Sequence, residues 1–294
     1  MAARRVSDGP RLGVYFTPSP YEAVWREALT ATATSAGWPV IAGASAETTA
    51  PHKAPGSLRL ATCPSEIAAS PEVDWLVMID SPSAALATVT ASAGGNLTAS
   101  VLSSAIWHTA QRFATASTLA SGGARVLDAA ARTLDLPGLG PVHRADCADV
   151  IPIAATALDV YLTVPPATGA RAVWPSDLFT CPAADMTDGP FQIDLTGRPR
   201  VLVYGPHIDL PAGDWCATVR IGVDPEGGHI RLRLEWGQGT GMTTANVTIR
   251  DPGHYAVRLT QNWPGQGPAE MRLWLGEASF GGRLTLLDVA VERL

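Results

Sequence analysis

The chain has 294 residues, of which 46% are hydrophobic and only 16% charged, and its formal net charge is -6. That length suits two domains rather than one, and an acidic balance without clustered Lys and Arg excludes nucleic acid as a partner. Behind Met1-Ala2-Ala3-Arg4-Arg5 there is no apolar segment of the kind a secretory signal needs, and no run of about 18 apolar residues that would span a membrane. The expectation is therefore a cytoplasmic protein. Cys63, Cys147, Cys181 and Cys216 are scattered without a CxxC pair or histidines at ligand spacing, so neither a disulfide framework nor a metal site is expected.

The first half alternates strand-like and helix-like segments. Arg11–Phe16 is a short apolar run of the buried-strand type. Ser19-Pro20-Tyr21-Glu22 then offers a capping box for a helix running through Val24, Trp25, Ala28 and Leu29 toward Gly37. Trp38–Ala42 and Leu58–Ala61 read as strands, Ser65–Ser70 as a short helix, and Val73–Ile79 as the clearest buried strand of this half. It stops at Asp80, where Ser81-Pro82 supplies a cap and a proline at the first helical position. Segments 100–117 and 124–134 read as helices, closed by Pro137-Gly138-Leu139-Gly140-Pro141. Such alternation predicts a Rossmann-like α/β domain with a parallel sheet.

Asp149–Val164 is apolar but of ambiguous type. Pro165-Pro166 and the spaced Pro175, Pro182 and Pro190 read as a linker, which places the expected domains at 1–170 and 171–294. Beyond the linker the period becomes two. Ile230, Leu232, Leu234 and Trp236 alternate with Arg231, Arg233 and Glu235; Tyr255, Val257 and Leu259 alternate with Ala256 and Arg258; Met271, Leu273 and Leu275 alternate with Arg272 and Trp274. With Phe191–Leu195, Arg200–Tyr204, Trp215–Val223, Thr243–Ile249 and Leu284–Val291, this makes about eight short strands, as an antiparallel jelly-roll-like β-sandwich requires.

Three resemblances add to this reading. Ala69-Ser70-Pro71-Glu72-Val73-Asp74-Trp75-Leu76-Val77-Met78-Ile79-Asp80-Ser81-Pro82 resembles a segment of glucose–fructose oxidoreductase-type dehydrogenases, in which a similar lead-in introduces a strand facing the cofactor. However, Phe16-Thr17-Pro18-Ser19-Pro20 stands where a dinucleotide binder has glycines that let its backbone approach the pyrophosphate, so no cofactor is expected. Asp80 is placed similarly to the first aspartate of the Asp-x-Asp of nucleotide-sugar glycosyltransferases, but Ser81-Pro82 follows it. That comparison makes Thr17, Asp80 and Ser81 candidate nucleotide-binding residues. Tyr204-Gly205-Pro206 through Leu210-Pro211-Ala212-Gly213 resembles β-sandwich modules of bacterial glycan-handling proteins; its motif is structural and specifies no sugar.

Sugar rings offer apolar C–H faces to aromatic planes and hydroxyls to neighbouring polar groups. The alternation puts Trp274 on the polar face with Glu270 and Arg272, where it has no core to fill. Trp263, in Gln261-Asn262-Trp263-Pro264-Gly265, reads as a loop contact beside Asn262. The candidate carbohydrate site is thus Trp274, Arg272, Glu270, Trp263 and Asn262, and a domain or subunit seam is the competing use of an outward tryptophan. Trp236 and Trp215 read as core. His143 and Cys147 are four apart but have no orienting partner, and no G-x-S-x-G, H-E-x-x-H or P-loop occurs. These features favour a non-catalytic carbohydrate- or partner-binding component of bacterial glycan or cell-surface polysaccharide production. A nucleotide-sugar transferase and a structural self-assembling homo-oligomer are the alternatives.

Overall fold

In the computed structural model, the structure describes residues 10–43, 56–68, 72–94, 98–148, 150–182 and 192–294. The chain divides into two compact units, residues 1–95 with 115–154, and 96–114 with 155–294. This division differs from the expected one near residue 170, because 155–170 and part of a helix group with the sandwich. Ala69-Ser70-Pro71, Asp149, Pro190 and Phe191 lie outside the described residues.

The first unit contains β1 (Arg11–Phe16), α1 (Glu22–Ser35), β2 (Val40–Ala42), β3 (Ser57–Ala61), α2 (Pro64–Ala68), β4 (Asp74–Ile79) and α3 (Pro82–Ser92). Helix α4 (Ala99–Ser121) follows, then β5 (Arg125–Asp128), β6 (Thr133–Leu136) and β7 (Gly140–His143). Strands β1 to β5 form one parallel sheet in the order β2-β3-β1-β4-β5. On one of its faces Leu12, Val14, Phe16, Leu58, Leu60, Leu76 and Met78 pack with Trp25 and Leu29 of α1 and with Leu134, Leu136 and Val142 of the β6–β7 hairpin. Gly13 lies opposite Trp75 across β1 and β4, and a Cβ there would collide with the Trp75 ring.

Two expectations fail in this unit. Segment 124–134 is strand, turn and strand rather than helix: β5 pairs along β4 from Leu76↔Arg125 to Ile79↔Asp128, and sheet pairing overrides its helical composition. Pro137-Gly138 is then the turn of a hairpin, not the end of a helix. Helix α1 also starts later than the capping box implies. Tyr21 is its N-cap without a side-chain bond of its own, while the Ser19 hydroxyl both accepts from the Tyr21 N–H at 3.2 Å, as a cap does, and donates to Asp80. Ser81, by contrast, caps α3 as expected, its Oγ accepting from the Ala84 N–H at 3.2 Å with Pro82 behind it.

The second unit is a sandwich of antiparallel strands: β8 (Arg171–Pro175), β9 (Gln192–Asp194), β10 (Arg200–Leu210), β11 (Gly213–Asp224), β12 (Ile230–Gln238), β13 (Gly241–Ile249), β14 (Gly253–Trp263), β15 (Gly267–Leu275) and β16 (Arg283–Arg293). One sheet is ordered β10-β15-β12-β13. The other is β14-β11-β16-β8, with β9 also on β16. Inward residues are Val203, Leu232, Leu234, Trp236, Met271 and Leu273 from the first sheet and Trp174, Trp215, Val219, Ile221 and Val289 from the second, all buried. Trp174 lies 5.8 Å from Trp236, and Trp236 lies 5.1 Å from Trp263, measured between ring centroids.

The presumed linker thus contains a strand. Val173 pairs with Ala290 and Trp174 with Val289, while Trp174 donates to the Ala157 carbonyl at 3.1 Å. A strand on the sheet margin tolerates its proline. Also in this unit, a 3-10 turn over Thr156–Tyr161 brings Tyr161 against Phe113 at 5.6 Å, and the Tyr161 hydroxyl donates to the Asp209 carbonyl. The Tyr204-Gly205-Pro206 phrase builds a β-bulge between Pro206 and Ile208, with positive φ at Gly205 and His207.

Candidate functional site

The polar face of the β10-β15-β12-β13 sheet is assembled by register. Arg272 on β15 lies between Tyr204 on β10 and Glu235 on β12, and Trp274 lies between Val201 and Arg233. Glu235 in turn pairs with Thr244, and Arg233 with Asn246. Strand parity therefore delivers Tyr204, Arg272, Glu235, Trp274 and Arg233 to one surface, since all alternate with buried residues.

Their bonds form one network. The Arg272 guanidinium makes a two-bond fork on Glu270, Nε to Oε1 and Nη2 to Oε2, each at 2.7 Å, and its Nη1 lies 4.0 Å from Glu235. Arg233 pairs with the other oxygen of Glu235, and the Trp274 indole N–H donates to Glu235 Oε2 at 3.0 Å. The Glu235 and Glu270 side chains are only 7% and 12% exposed, whereas those of Arg233 and Arg272 are 52% and 35% exposed. The carboxylates thus form a covered layer and the guanidiniums the solvent layer. The bond from Glu270 holds the Arg272 guanidinium above its usual range. Such a network fixes the plane of Trp274, which is half-buried, while leaving its outer surface beside free edges of charged donors.

Of the sequence-predicted residues, Trp274, Arg272 and Glu270 come together here. Trp263 and Asn262 do not join them. Trp263 is 1% exposed and packed on Trp236, so the loop contact is corrected to a core residue. The cause is that β14 continues to Trp263, which pairs with Gly213 and shares the strand's inward face with the buried Leu259. Asn262 is exposed and donates to Asp214 Oδ1 at 2.8 Å, beside a shallow cavity of about 240 Å³ lined by Asp214, Thr260, Gln261, Asn262 and Leu294. Glu235, Arg233 and Tyr204 were missed as site residues. The alternation marks each as outward, but only the register places them beside Trp274.

In the first unit, Thr17, Asp80 and Ser81 also converge, at the carboxyl ends of β1 and β4 where the strand order reverses. Thr17 is fully buried, and its hydroxyl and N–H both donate to the Met78 carbonyl. Asp80 accepts from the Ser81 N–H at 2.7 Å and from the Ser19 hydroxyl at 2.9 Å. Burial pushes its carboxyl above the usual range, the Ser81 and Ser19 bonds pull it down, and the Asp128 charge adds to the rise. His143 shares a 2.8 Å bond with Thr133, and Cys147 approaches the Pro20 carbonyl, so the two do not form a nucleophile–base pair. Among the described residues no group of three or more His, Cys, Asp or Glu is placed to hold a metal ion.

No protein-family model and no curated relative matches the chain. Solved structures similar to it are carbohydrate-binding modules, matching its C-terminal part. They include the xylan-binding domain CBM22-1 from Paenibacillus barcinonensis, at 10% identity and a TM-score of 0.29 over 43% of this chain and 97% of that one. A family 35 carbohydrate-binding module from Clostridium thermocellum is 10% identical, with a TM-score of 0.28 over 42% and 98%. The CBM36-1 domain of a xylanase from the hindgut metagenome of Trinervitermes trinervoides is 14% identical, with a TM-score of 0.29 over 42% and 98%.

Proposed function

We propose that the chain is a non-catalytic carbohydrate-binding protein whose sandwich takes a glycan on the face around Trp274. The carrying observation is the bond from the Trp274 indole to Glu235, within the Arg272–Glu270 and Arg233–Glu235 pairs. An immobilised aromatic plane suits the apolar face of a sugar, and the guanidinium edges beside it suit hydroxyls. Arg233 and Arg272 are balanced by Glu235 and Glu270, which favours a neutral glycan over an anionic one. In the cell this binding would serve bacterial glycan or cell-surface polysaccharide production. The test is affinity electrophoresis of the full chain through gels containing xylan, β-1,4-galactan or a soluble cellulose derivative. Retardation by one of them, lost in Trp274→Ala with the melting temperature kept, is the expected result; free migration in all three removes the reading.

A second reading rests on the meeting of Thr17, Asp80 and Ser81 at the switch point of the parallel sheet. In a Rossmann-like domain that is where a nucleotide-sugar would bind. Asp80 and Asp128 repel a diphosphate, so the reading requires a divalent cation between them and the ligand. It calls for a thermal shift with UDP- or GDP-sugars plus Mg²⁺ that disappears in Asp80→Ala.

A further inference from the structure

We infer that Phe280 is a second sugar-stacking residue, and that the glycan site extends from Trp274 to the loop between β15 and β16. This rests on the carbohydrate reading above and adds to it an extended ligand running past the end of β15. Phe280 is a fully exposed large apolar side chain. A single exposed hydrophobe is ordinary where the backbone is loose, but this loop is tied down on both sides of it.

The Gly276 N–H donates to the Arg231 carbonyl at 2.8 Å. Ser279 and Gly197 exchange two backbone bonds of 2.8 and 2.9 Å, and the Leu195 N–H donates to the Gly282 carbonyl at 2.9 Å. The Ser279 hydroxyl donates to the Gly281 carbonyl at 2.7 Å. The two glycines that follow Phe280 are closely packed. A Cβ on Gly281 would stand 2.8 Å from the Glu226 carboxylate, and Gly282, at φ 114°, packs against the Asp224 carbonyl. Because the backbone beneath the ring is already ordered, stacking on it requires no ordering of the loop, which lowers the entropic cost of binding.

The surroundings identify the occupant. Glu277, three residues before Phe280, is held by His229 at 2.8 Å and Arg231 at 3.5 Å. Arg283, three residues after it, faces Glu226 at 3.6 Å. Arg231 lies two residues along β12 from Arg233, the register partner of Trp274. Register and ion pairing thus lead from Trp274 through Arg233, Arg231 and Glu277 to the loop that carries Phe280. Among the described residues the other exposed large hydrophobes are Trp107, Ile151, Leu162 and Leu294, and none of them belongs to this loop. The core of a protein interface is a contiguous apolar patch, whereas an exposed ring in a loop that also carries Glu277 and Arg283 matches a chain of sugars, each with an apolar face rimmed by hydroxyls.

The experiment measures affinity by calorimetry for trioses and hexaoses of the xylo-, cello- and β-1,4-galacto- series, using the full chain and Phe280→Ala, Phe280→Leu, Phe280→Trp and Trp274→Ala. The expected result is that Phe280→Ala and Phe280→Leu weaken the hexaose by about tenfold, as loss of one aromatic contact does, and change the triose by less than about twofold. Phe280→Trp restores hexaose affinity, and Trp274→Ala abolishes both. If Phe280→Ala leaves the hexaose unchanged while Trp274→Ala still abolishes binding, the extension is wrong and the carbohydrate reading survives. If Phe280→Leu binds like the parent, a generic apolar contact replaces stacking and the inference falls. If the parent binds no sugar of any length, the carbohydrate reading fails and takes this inference with it.

Discussion

Two polar clusters were expected to form sites, and they use their hydrogen bonds in opposite ways. At the ends of β1 and β4, Thr17, Ser19 and Ser81 direct their hydroxyls at the Met78 carbonyl, the Asp80 carboxylate and the Ala84 N–H. Those groups close the ends of a strand pair and start a helix. On the sandwich, the covered carboxylates of Glu235 and Glu270 hold Arg233, Arg272 and Trp274 from beneath, leaving guanidinium edges and an indole face outward. Side chains of similar type thus complete the fold in one place and present a surface in the other. What separates the two is whether the bonded partner lies below the group or level with it.

The largest test of that contrast lies within the sandwich. Trp236 is fully buried between Trp174 and Trp263, so Trp236→Ala is expected to lose about 3–5 kcal/mol of stability through cavity formation. Trp274 is half-buried on the outer face, and Trp274→Ala is expected to lose about 1 kcal/mol, in the ordinary range for a surface-proximal contact. Urea denaturation of both variants, read by circular dichroism, measures the difference. Equal losses would mean that Trp274 fills a structural seam, and the face would no longer be a binding surface.

A finer test separates charge from orientation at Glu235. Glu235→Gln removes the ionic partner of Arg233 but keeps an acceptor for the Trp274 N–H, whereas Glu235→Ala removes both. Because Arg233 is half exposed, the freed guanidinium turns to water, and the stability cost of Glu235→Gln is expected to be about 1 kcal/mol or less. Glycan affinity should fall by less than about threefold in Glu235→Gln and by about tenfold in Glu235→Ala, a gap of the size set by one lost orienting hydrogen bond. If both variants bind equally, Glu235 does not set the plane of Trp274.

Much of the sandwich was legible because strand alternation survives any tertiary context. Ile230, Leu232, Leu234 and Trp236 point inward as their period requires, and Trp274 points outward. What escaped notice depends on pairing across distant segments. Trp263 read as a loop residue because Pro264-Gly265 follows it, yet pairing with Gly213 carries β14 through it into the core. Residues 171–175 read as linker because prolines surround them, yet Trp174 completes the aromatic cluster from a marginal strand. Segment 124–134 carries alanines of high helix propensity, but β4 offered it a sheet edge, and propensity is a weak prior against that. Ser19 and Asp80 meet across 61 residues through a register that no local pattern encodes.

The smallest expected effect belongs to Asp80, and its sign follows from the direction of its shift. Burial raises the folded-state value above the unfolded one, with Asp128 adding to it and the bonds from Ser81 and Ser19 opposing. Across the window between the ordinary carboxylate value and the raised one, the folded state holds a proton that the unfolded chain has released. Stability therefore declines as pH rises through that window, and the cost persists above it. Asp80→Asn cannot ionise; its Oδ1 still accepts from the Ser81 N–H, and its amide can donate to the Ser19 hydroxyl. The variant should thus gain on the parent between acidic and neutral pH and lose that advantage below the ordinary carboxylate range. Thermal melts of the two proteins from pH 3.5 to pH 7.5 compare the slopes. A parent that grows more stable relative to Asp80→Asn as pH rises would mean that the carboxylate is stabilised in the fold, and the end of β4 would then be a charged, ligand-ready site like the sandwich face.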